Sequence, residues 1–469
     1  MPSPGFSHTL FEGAEAGLSA TGARLGFKTL LTRSAPSLLV ACLTFFWIYA
    51  FSAYVSPIYF SAGNDNFWFD ADVPRYVCQV VDAGANDHWR NKIHPLFSFL
   101  VAPLPNLLHV LGIDMIQAMR IQLSLVAAVG MTFQYLTLRV IGMRMPAALL
   151  LVCVLVTSAS VLTWFTLVES YAYTFTSFSI VLFMLATAGQ RRWGIGHWGG
   201  VIGLSFAITI SNVVVAGLAA WQALGLRRTL WAGGLALAAV TVLALAQRFF
   251  FPLSGIFFLP SALGGESSFM VGLSLERLRE LFTLVLYGSF VFPNVDQVAM
   301  GAETMLSTQR ASFGWNGLPL LCMLLLSFLL LLGAAQLLRR FGSSFKQVMS
   351  GKATQEDDLD ARLAFPVLGS LTFLFALHSF YGKETFLYTG SFLPLLTVLL
   401  AFGLQSAWVR RAGLALPLLA VLVLGNLTHN IPRFTAASTL LQKAALKPLQ
   451  EQVLKRNTCS FVKRTLTQR

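Results

Sequence analysis

The chain has 469 residues, of which 56% are hydrophobic and only 11% are charged, and its mean hydropathy is +0.68. Soluble proteins carry about 25% charged residues, so this composition excludes an ordinary soluble domain and predicts that lipid surrounds much of the chain. The net charge of +13 is also typical of nucleic-acid-binding proteins. However, most Lys and Arg residues stand in pairs at the ends of apolar stretches, where they orient membrane helices. No nucleic-acid partner is expected.

Residues 1–33 are mostly polar and are predicted to form a cytoplasmic N-terminal segment without a cleavable signal. Long apolar stretches follow, each approaching or exceeding the roughly 18–20 residues that cross a hydrocarbon core. They are Ser34–Tyr54, Ile121–Leu138, Pro146–Phe165, Thr229–Ala246, Leu318–Leu338 and Phe386–Trp408. Because their periodicity is helical, the sequence predicts an all-α polytopic membrane protein.

Groups of basic residues mark the expected cytoplasmic ends of the helices. They are Arg24, Lys28 and Arg33; Arg139 and Arg144; Arg191 and Arg192; Arg227 and Arg228; Arg339, Arg340, Lys346 and Lys352; and Arg410 and Arg411. All of them lie on one side only under two conditions. His94–Gly112 must not span the membrane, and Ile195–Leu226 must be a hairpin of two short helices, broken near Thr209–Asn212. The sequence then predicts about eleven transmembrane helices within residues 34–430, with the N-terminus inside.

This topology predicts two large loops on the extracytoplasmic face. Residues 57–120 form the first loop, with juxtamembrane helices, and residues 249–317 form the second. Ser274–Phe282 in the second loop has the amphipathic spacing of a helix that lies in the membrane interface. The basic C-terminal tail, residues 431–469, is expected on the same side because the number of passes is odd.

Two cysteines, Cys78 and Cys459, stand outside the apolar stretches. In the predicted topology both face an oxidising compartment, where they could form a disulfide that ties the tail to the first loop.

Candidate catalytic residues stand near the start of the first outer loop. Asp70 and Asp72 are two residues apart and are flanked by aromatic residues at the membrane surface. A carboxylate near lipid loses hydration and becomes more basic, which suits a general base. The same pattern also occurs at solvated loop entrances and in metal sites, and it predicts no metal by itself. About twenty residues later, His94 follows Arg90 and Lys92, cations that can hold a phosphate group.

The pair Asp70 and Asp72, followed by His94-Pro95-Leu96-Phe97, resembles the motifs of the GT-C class of integral membrane glycosyltransferases. That class includes protein O-mannosyltransferases and lipid A aminoarabinose transferases. Its first outer loop carries an acidic motif followed by a His-Pro-Pro-Leu-like motif, and the resemblance covers roughly the first half of the chain. It implies transfer of a sugar from a polyprenyl-phosphate donor to a glycan, lipid or protein acceptor. The implied location is the periplasmic or outer face of a bacterial inner membrane.

The resemblance makes Asp70 the first choice, and Asp72 the second, for the base that deprotonates the acceptor hydroxyl. Glu169 could orient the acceptor or an arginine, or simply favour the N-terminus of a helix. Arg310 and Lys383 could bind the leaving phosphate or act as interfacial anchors. No cofactor is predicted. The residues expected to bind donor or acceptor are Arg75, Arg90, Lys92, His94, Glu169, Arg310, Lys383 and Glu384.

Two other functions share these features: a transporter or flippase of lipids or lipid-linked oligosaccharides, and a polymerase or ligase of surface polysaccharide. Transporters usually place ionisable groups or broken helices near the bilayer midplane and often contain internal repeats. Here the apolar stretches are nearly free of ionisable residues, with His378 as an exception, and no repeat is evident. The charged residues gather at one face, which favours an interfacial enzyme over a transporter or a purely structural membrane protein.

Overall fold

The computed structural model describes residues 27–55, 68–69, 71–258, 266–300, 303–307, 313, 317–350, 358–382 and 384–445. Helices make up most of this part of the chain. In order they are α1 (Phe27–Ser52), α2 (Val73–Val81), α3 (Phe97–Val101), α4 (Pro103–Val110), α5 (Met115–Val140), α6 (Met145–Val156), α7 (Ala159–Trp164), α8 (Ser170–Thr187), α9 (Ile195–Ile208), α10 (Asn212–Leu224), α11 (Leu226–Phe250), α12 (Leu275–Thr283), α13 (Gly317–Met349), α14 (Leu359–Phe380), α15 (Thr389–Gln405), α16 (Ala407–Arg411) and α17 (Ala415–Ala445). Short 3₁₀ turns occupy Asn86–Lys92, Glu266–Phe269 and Phe386–Tyr388, and a π turn occupies Leu284–Gly288.

Eight helices in the described ranges are long and apolar enough to cross a membrane: α1, α5, α8, α11, α13, α14, α15 and α17. Three shorter apolar helices accompany them, namely α6, α9 and α10. The prediction of a helical integral membrane protein is therefore confirmed. The total of eleven passes is not confirmed, because the three short helices fall below the length that by itself indicates a full span.

The segment predicted not to span the membrane contains a sharp bend, and the predicted hairpin Ile195–Leu226 is interrupted. The 3₁₀ turn Asn86–Lys92 and the following helical segment Phe97–Val110 are bent by 114° relative to each other. The second interruption separates α9 from α10 at Thr209–Ser211, as the hairpin prediction requires. The two breaks contact each other, since the Leu96 N–H donates to the Ala207 carbonyl at 3.0 Å and the Ile210 N–H donates to the Ile93 carbonyl at 3.1 Å. The segment predicted as the first outer loop is thereby fixed to the tip of the hairpin.

The spanning helices divide into an inner and an outer set. In the helical stretch Phe386–Gln405 and in α8, 89% and 78% of the most apolar window is buried, whereas α1 and α11 bury only 22% each. The outer helices instead expose large apolar side chains, including Phe46 and Trp231, each 66% exposed. Such exposed apolar surfaces are stable when lipid covers them. The inner helices, with α5, form the protein core that supports the site.

Helices α13 and α15 approach closely through a reciprocal pair of glycines. A Cβ atom at Gly333 would overlap the Leu399 carbonyl, and one at Gly403 would overlap the Leu329 carbonyl. Small residues allow membrane helices to bring their backbones together, because van der Waals packing drives much of their association. This contact anchors α15, whose N-terminal end lies at the site.

The segment predicted as the second outer loop contains two short strands that the all-α prediction did not include. Strands β1 (Asp296–Met300) and β2 (Glu303–Ser307) pair antiparallel, with Asp296 opposite Ser307. Only Gly301 and Ala302 separate them in the sequence, and a two-residue connection containing glycine is typical of hairpins. The predicted amphipathic helix in this loop is present as α12, where the Ser274 hydroxyl accepts the Arg277 N–H at 3.0 Å.

The last helix extends beyond Asn430, the residue at which the sequence places the end of the transmembrane domain. Helix α17 continues through Pro432 to Ala445. Asn430 is fully buried, and its side-chain amide donates to the carbonyls of Thr157 and Phe290 at 2.9 and 2.7 Å. These bonds attach the C-terminal helix to the inner core.

Candidate active site

A cavity of about 530 Å³ lies where the first outer loop meets the ends of the inner helices. Its wall includes α2, the N-terminal end of α8, the break between α9 and α10, the C-terminal end of α14 and the start of α15. Residues far apart in sequence therefore converge on one space. Two contact groups supply many of its lining residues, the charged cluster and the aromatic wall, and the charged cluster also includes Lys92, which lies outside the lining.

The charged cluster consists of Asp72, Arg75, Arg90, Lys92, Glu266 and Tyr381. Asp72 lies at its centre, because its Oδ2 atom accepts from Arg75 Nη1 at 2.8 Å and from Arg90 Nη2 at 3.3 Å. The three side chains are only 10–18% exposed. Charge-assisted hydrogen bonds of this kind are stronger than neutral ones and fix the planes of the guanidinium groups.

Glu266 joins the charged cluster from the second outer loop. Its Oε1 atom lies 3.4 Å from both Arg90 Nη1 and Lys92 Nζ, and its Oε2 atom accepts the Tyr381 hydroxyl at 2.6 Å. A longer contact, 3.9 Å, pairs Arg75 with Asp87. The cations Arg75, Arg90 and Lys92 are thus matched by three carboxylates, those of Asp72, Asp87 and Glu266.

Trp89 packs beside the cations of this cluster. The distances to its ring are 5.6 Å from Arg75, 5.3 Å from Arg90 and 4.6 Å from Lys92, all within cation–π range. Trp89 is 39% exposed. The predicted site residues Arg75, Arg90 and Lys92 are therefore brought together around one aromatic ring, with the guanidinium groups of Arg75 and Arg90 on the cavity wall.

Glu169 attaches the first outer loop to the N-terminus of α8. Its Oε1 atom accepts the backbone N–H of Asp72 at 2.9 Å, and its Oε2 atom accepts that of Ser170 at 3.0 Å. Burial raises the pKa of Glu169 to about 8, and the negative charge of Asp72 adds to the rise, although the two N–H bonds oppose it. Glu169 is thus both the helix cap that the sequence predicted and the support of the Asp72 backbone.

His94 lines the cavity with both ring nitrogens engaged by protein atoms. Burial lowers its pKa to about 3, and the positive charge of Arg90 acts in the same direction, so the ring is neutral at physiological pH. Nδ1 lies 2.8 Å from the Ile208 carbonyl, which can only accept, so Nδ1 carries the proton. Nε2 therefore accepts the Tyr76 hydroxyl at 3.1 Å. His94 fixes the first loop against the α9–α10 break and contributes no positive charge for a phosphate.

The turn that precedes Asp70 is held in a strained backbone conformation. Phe69 has φ +51°, a value that residues other than glycine rarely adopt. Its side chain is fully buried, with ring centroids 5.2 Å from Phe386 and 6.1 Å from Trp164. Backbone strain of this kind persists only where packing enforces it, and it is concentrated at functional sites. Phe69 is a site-supporting residue that sequence reasoning missed.

The aromatic wall consists of Tyr171, Thr174, Asn212, His378 and Tyr388. The rings of His378 and Tyr388 stack with centroids 3.7 Å apart and planes 19° apart, and Tyr171 meets Tyr388 edge-on at 6.3 Å. Asn212 donates to the Thr174 hydroxyl at 3.1 Å. None of these residues was predicted as a site residue. The available signals were weak: a histidine inside an apolar span, and two tyrosines next to predicted helix starts.

Several predicted residues lie elsewhere or outside the described part of the chain. Glu384 is fully buried and accepts the Phe386 N–H at 3.4 Å, away from the cavity lining. Cys78 is disulfide-bonded, and the thiols of Cys42, Cys153 and Cys322 are free. The pairing of Cys78 with Cys459 stays a prediction. The residues outside the described ranges are Asp70, Arg310, Lys383 and Cys459.

No protein-family model, curated protein or solved structure matches this chain. Within the described ranges, no group of three or more His, Cys, Asp or Glu side chains could hold a metal ion. The functional argument therefore starts from the geometry of the cavity and from the apolar helices around it.

Proposed function

We propose that the chain is a membrane glycosyltransferase of the GT-C kind, which moves a sugar from a polyprenyl phosphate to an acceptor hydroxyl. The cavity carries this proposal, because it combines guanidinium groups, carboxylates and polar aromatic rings at the ends of apolar helices. A lipid-linked sugar phosphate has three matching parts: an apolar chain, a charged phosphate and a polar ring. Its chain would dissolve in the bilayer while its phosphate stays at the interface.

We also propose eleven passes, by adding the three short apolar helices α6, α9 and α10 to the eight long ones. With a cytoplasmic N-terminus, the cavity-lining ends of α8, α9, α14 and α15 then all fall on the extracytoplasmic side. The basic clusters fall on the opposite side, as the positive-inside rule requires. This agreement supports the topology, and with it our proposal that the cavity faces the periplasm from a bacterial inner membrane.

Arg75 and Arg90 are the proposed ligands of the donor phosphate, because planar guanidinium groups match phosphate oxygens in bidentate geometry. Their charges are balanced by carboxylates in the structure, so a phosphate has to exchange with one of them. Glu266 is the best candidate, since it contacts Arg90 and Lys92 at 3.4 Å while Asp72 contacts Arg75 at 2.8 Å.

Asp70 is the proposed general base. Asp72 is held by two guanidinium groups, and opposite charges at such distances stabilise a carboxylate and weaken it as a base. The base takes the proton of the acceptor hydroxyl, whose oxygen forms a bond to the anomeric carbon. The bond from that carbon to the phosphate oxygen breaks, and its electron pair leaves with the lipid phosphate. Asp72 then serves to orient Arg75 and Arg90.

The proposal is tested by sugar transfer in proteoliposomes that contain the full-length protein, a panel of radiolabelled polyprenyl-phosphate sugars and a membrane extract as the source of acceptors. Removing a general base typically lowers the reaction rate about 10²- to 10⁴-fold. Asp70→Asn should therefore lower the rate of sugar transfer at least about 100-fold. Asp82→Asn is the matched control. Asp82 belongs to the same loop, accepts the Gly84 N–H at 2.9 Å and lies outside the cavity lining.

Full transfer by Asp70→Asn would contradict the assignment of Asp70 as the base, and full transfer by Asp72→Asn as well would remove both candidates. If no donor in the panel supports transfer, but the labelled lipid crosses the bilayer, the protein is a transporter and the proposal is wrong.

A further inference from the structure

We infer that the aromatic wall receives an uncharged sugar ring, so that the transferred group is a neutral pyranose and not a uronic acid or an amino sugar. This inference rests on the proposed function and adds the chemical class of the sugar. It depends on the wall having a flat aromatic surface, hydrogen-bonding groups and no ionised side chain.

The flat surface is formed by the stacked rings of His378 and Tyr388, whose centroids lie 3.7 Å apart. The ring of Tyr171 borders it, with its plane at 74° to that of Tyr388. Tyr171 is itself held by packing, because a Cβ atom at Gly390 would come within 2.9 Å of the Tyr171 Cβ. An aromatic ring packs against the apolar C–H face of a sugar and shields it from water, while nearby polar atoms form hydrogen bonds with the sugar hydroxyl groups.

The hydrogen-bonding groups include a buried nitrogen. His378 is 6% exposed and lines the cavity. Its ring interacts with the Tyr381 backbone, but its Nδ1 atom makes no hydrogen bond of normal geometry within the described residues. Buried polar atoms are almost always paired, so a ligand hydroxyl would satisfy this nitrogen. Thr174 accepts the Asn212 amide at 3.1 Å and keeps its own hydroxyl hydrogen to donate.

Charge separates the two groups of lining residues. The Asp, Glu and Arg side chains of the described lining are Asp72, Arg75, Arg90, Glu169 and Glu266, and none belongs to the aromatic wall. A charged substituent on the sugar would therefore be buried without an opposite charge, which is costly. Glu169 lines the cavity beside Tyr171, and its two oxygens accept the backbone N–H groups of Asp72 and Ser170. Its raised pKa, about 8, also leaves it mostly uncharged at neutral pH.

The experiment measures binding of short-chain synthetic donors to the full-length protein in nanodiscs. The four probes are citronellyl phosphate, citronellyl-phosphate mannose, citronellyl-phosphate glucuronic acid and citronellyl-phosphate 4-amino-4-deoxyarabinose. We expect the mannose probe to bind at least about tenfold more tightly than either charged-sugar probe, since an unpaired buried charge costs more than one hydrogen bond contributes.

Two variants test the wall directly. His378→Phe keeps an aromatic ring against Tyr388 and removes the nitrogen, and it should weaken mannose-probe binding about fivefold while leaving citronellyl phosphate unchanged. Thr174→Val removes one hydroxyl at constant shape, so it remains informative if the first variant does not fold. The matched control is Thr372→Val. Thr372 is an exposed threonine on the same helix as His378, and it bonds only to the Leu368 carbonyl at 2.9 Å among the described contacts.

The outcomes separate the two proposals. Equal affinity for neutral and charged sugars, or unchanged mannose-probe affinity in both variants, overturns the inference and leaves the proposed function standing. Failure of every probe, including citronellyl phosphate, overturns the proposed function and the inference with it.

Discussion

The charged cluster and the aromatic wall line the same cavity but are assembled in opposite ways. Four of the six charged-cluster residues lie in the segment Asp72–Lys92. Asp72 pairs with Arg75 and Arg90 at 2.8 and 3.3 Å, and Glu266 pairs with Arg90 and Lys92 at 3.4 Å. The wall takes its members from helices α8, α10 and α14 and the turn before α15, and it is held by ring stacking and a neutral hydrogen bond. Charged binding sites can therefore be built locally, whereas neutral ones depend on how helices pack.

The two groups also respond differently to substitution. A partly buried ion pair that loses one partner leaves the other charge desolvated, which costs about 3–5 kcal/mol. Loss of one neutral hydrogen bond costs only about 0.5–1.5 kcal/mol. If the cavity is divided as proposed, large effects should follow changes in the charged cluster and smaller, sugar-specific effects should follow changes in the wall.

The largest effect is expected for Arg90→Ala, because Arg90 contacts both Asp72 and Glu266. Citronellyl-phosphate binding and sugar transfer should fall about 100- to 1,000-fold, as expected for a broken buried pair. Binding titrations in nanodiscs measure the first quantity and transfer assays the second. Arg90→Lys keeps the positive charge but not the planar guanidinium group, so affinity and transfer should fall less than in Arg90→Ala. An affinity for citronellyl phosphate equal to that of the wild type would place the phosphate elsewhere.

Phe69→Ala is expected to lower the stability of the protein and its affinity for both probes. Phe69 packs between Phe386 and Trp164, and Trp164 contacts Tyr171 of the aromatic wall at 5.6 Å. Truncating a fully buried phenylalanine costs about 3–5 kcal/mol of unfolding free energy. Thermal unfolding in detergent should show the loss, together with weaker binding of citronellyl phosphate and of the mannose probe.

The matched control for this change is Phe365→Ala. Phe365 is also buried, but it packs against Trp221 and Phe345, away from the cavity. It should lower the unfolding temperature and leave probe binding intact. If the two variants bind the probes equally well, Phe69 has no special relation to the site.

A pH dependence is also expected from Glu169, where the two groups meet. The pKa of Glu169 in the folded protein is about 8, above the ordinary 4.5. Since the folded state holds the proton more tightly, stability should be highest below pH 4.5 and decline as the pH rises towards 8. Unfolding temperatures between pH 5 and 9 measure the slope. Glu169→Gln, which can still accept the Asp72 N–H, should have a shallower slope. Parallel slopes would show that another group is responsible.

Several features of the fold could be predicted because they depend on local composition. The apolar lengths of α1, α11 and α13 indicate spans without any knowledge of their neighbours. The polar run Thr209–Asn212 interrupts an apolar stretch and coincides with the end of α9. The hairpin of β1 and β2 was missed, because short strands in a mostly helical chain produce a weak pattern.

The sequence by itself determined that this is a helical membrane protein, and it placed acidic and basic residues close together in one short segment, Asp72–Lys92. Hydropathy and charge are properties of single segments, so both conclusions can be drawn without tertiary contacts. Only the tertiary structure decided which groups face each other: Glu266 against Arg90, Glu169 under Asp72, and His378 against Tyr388. Such pairs join residues up to 176 positions apart, and their distances depend on helix packing that no local pattern encodes.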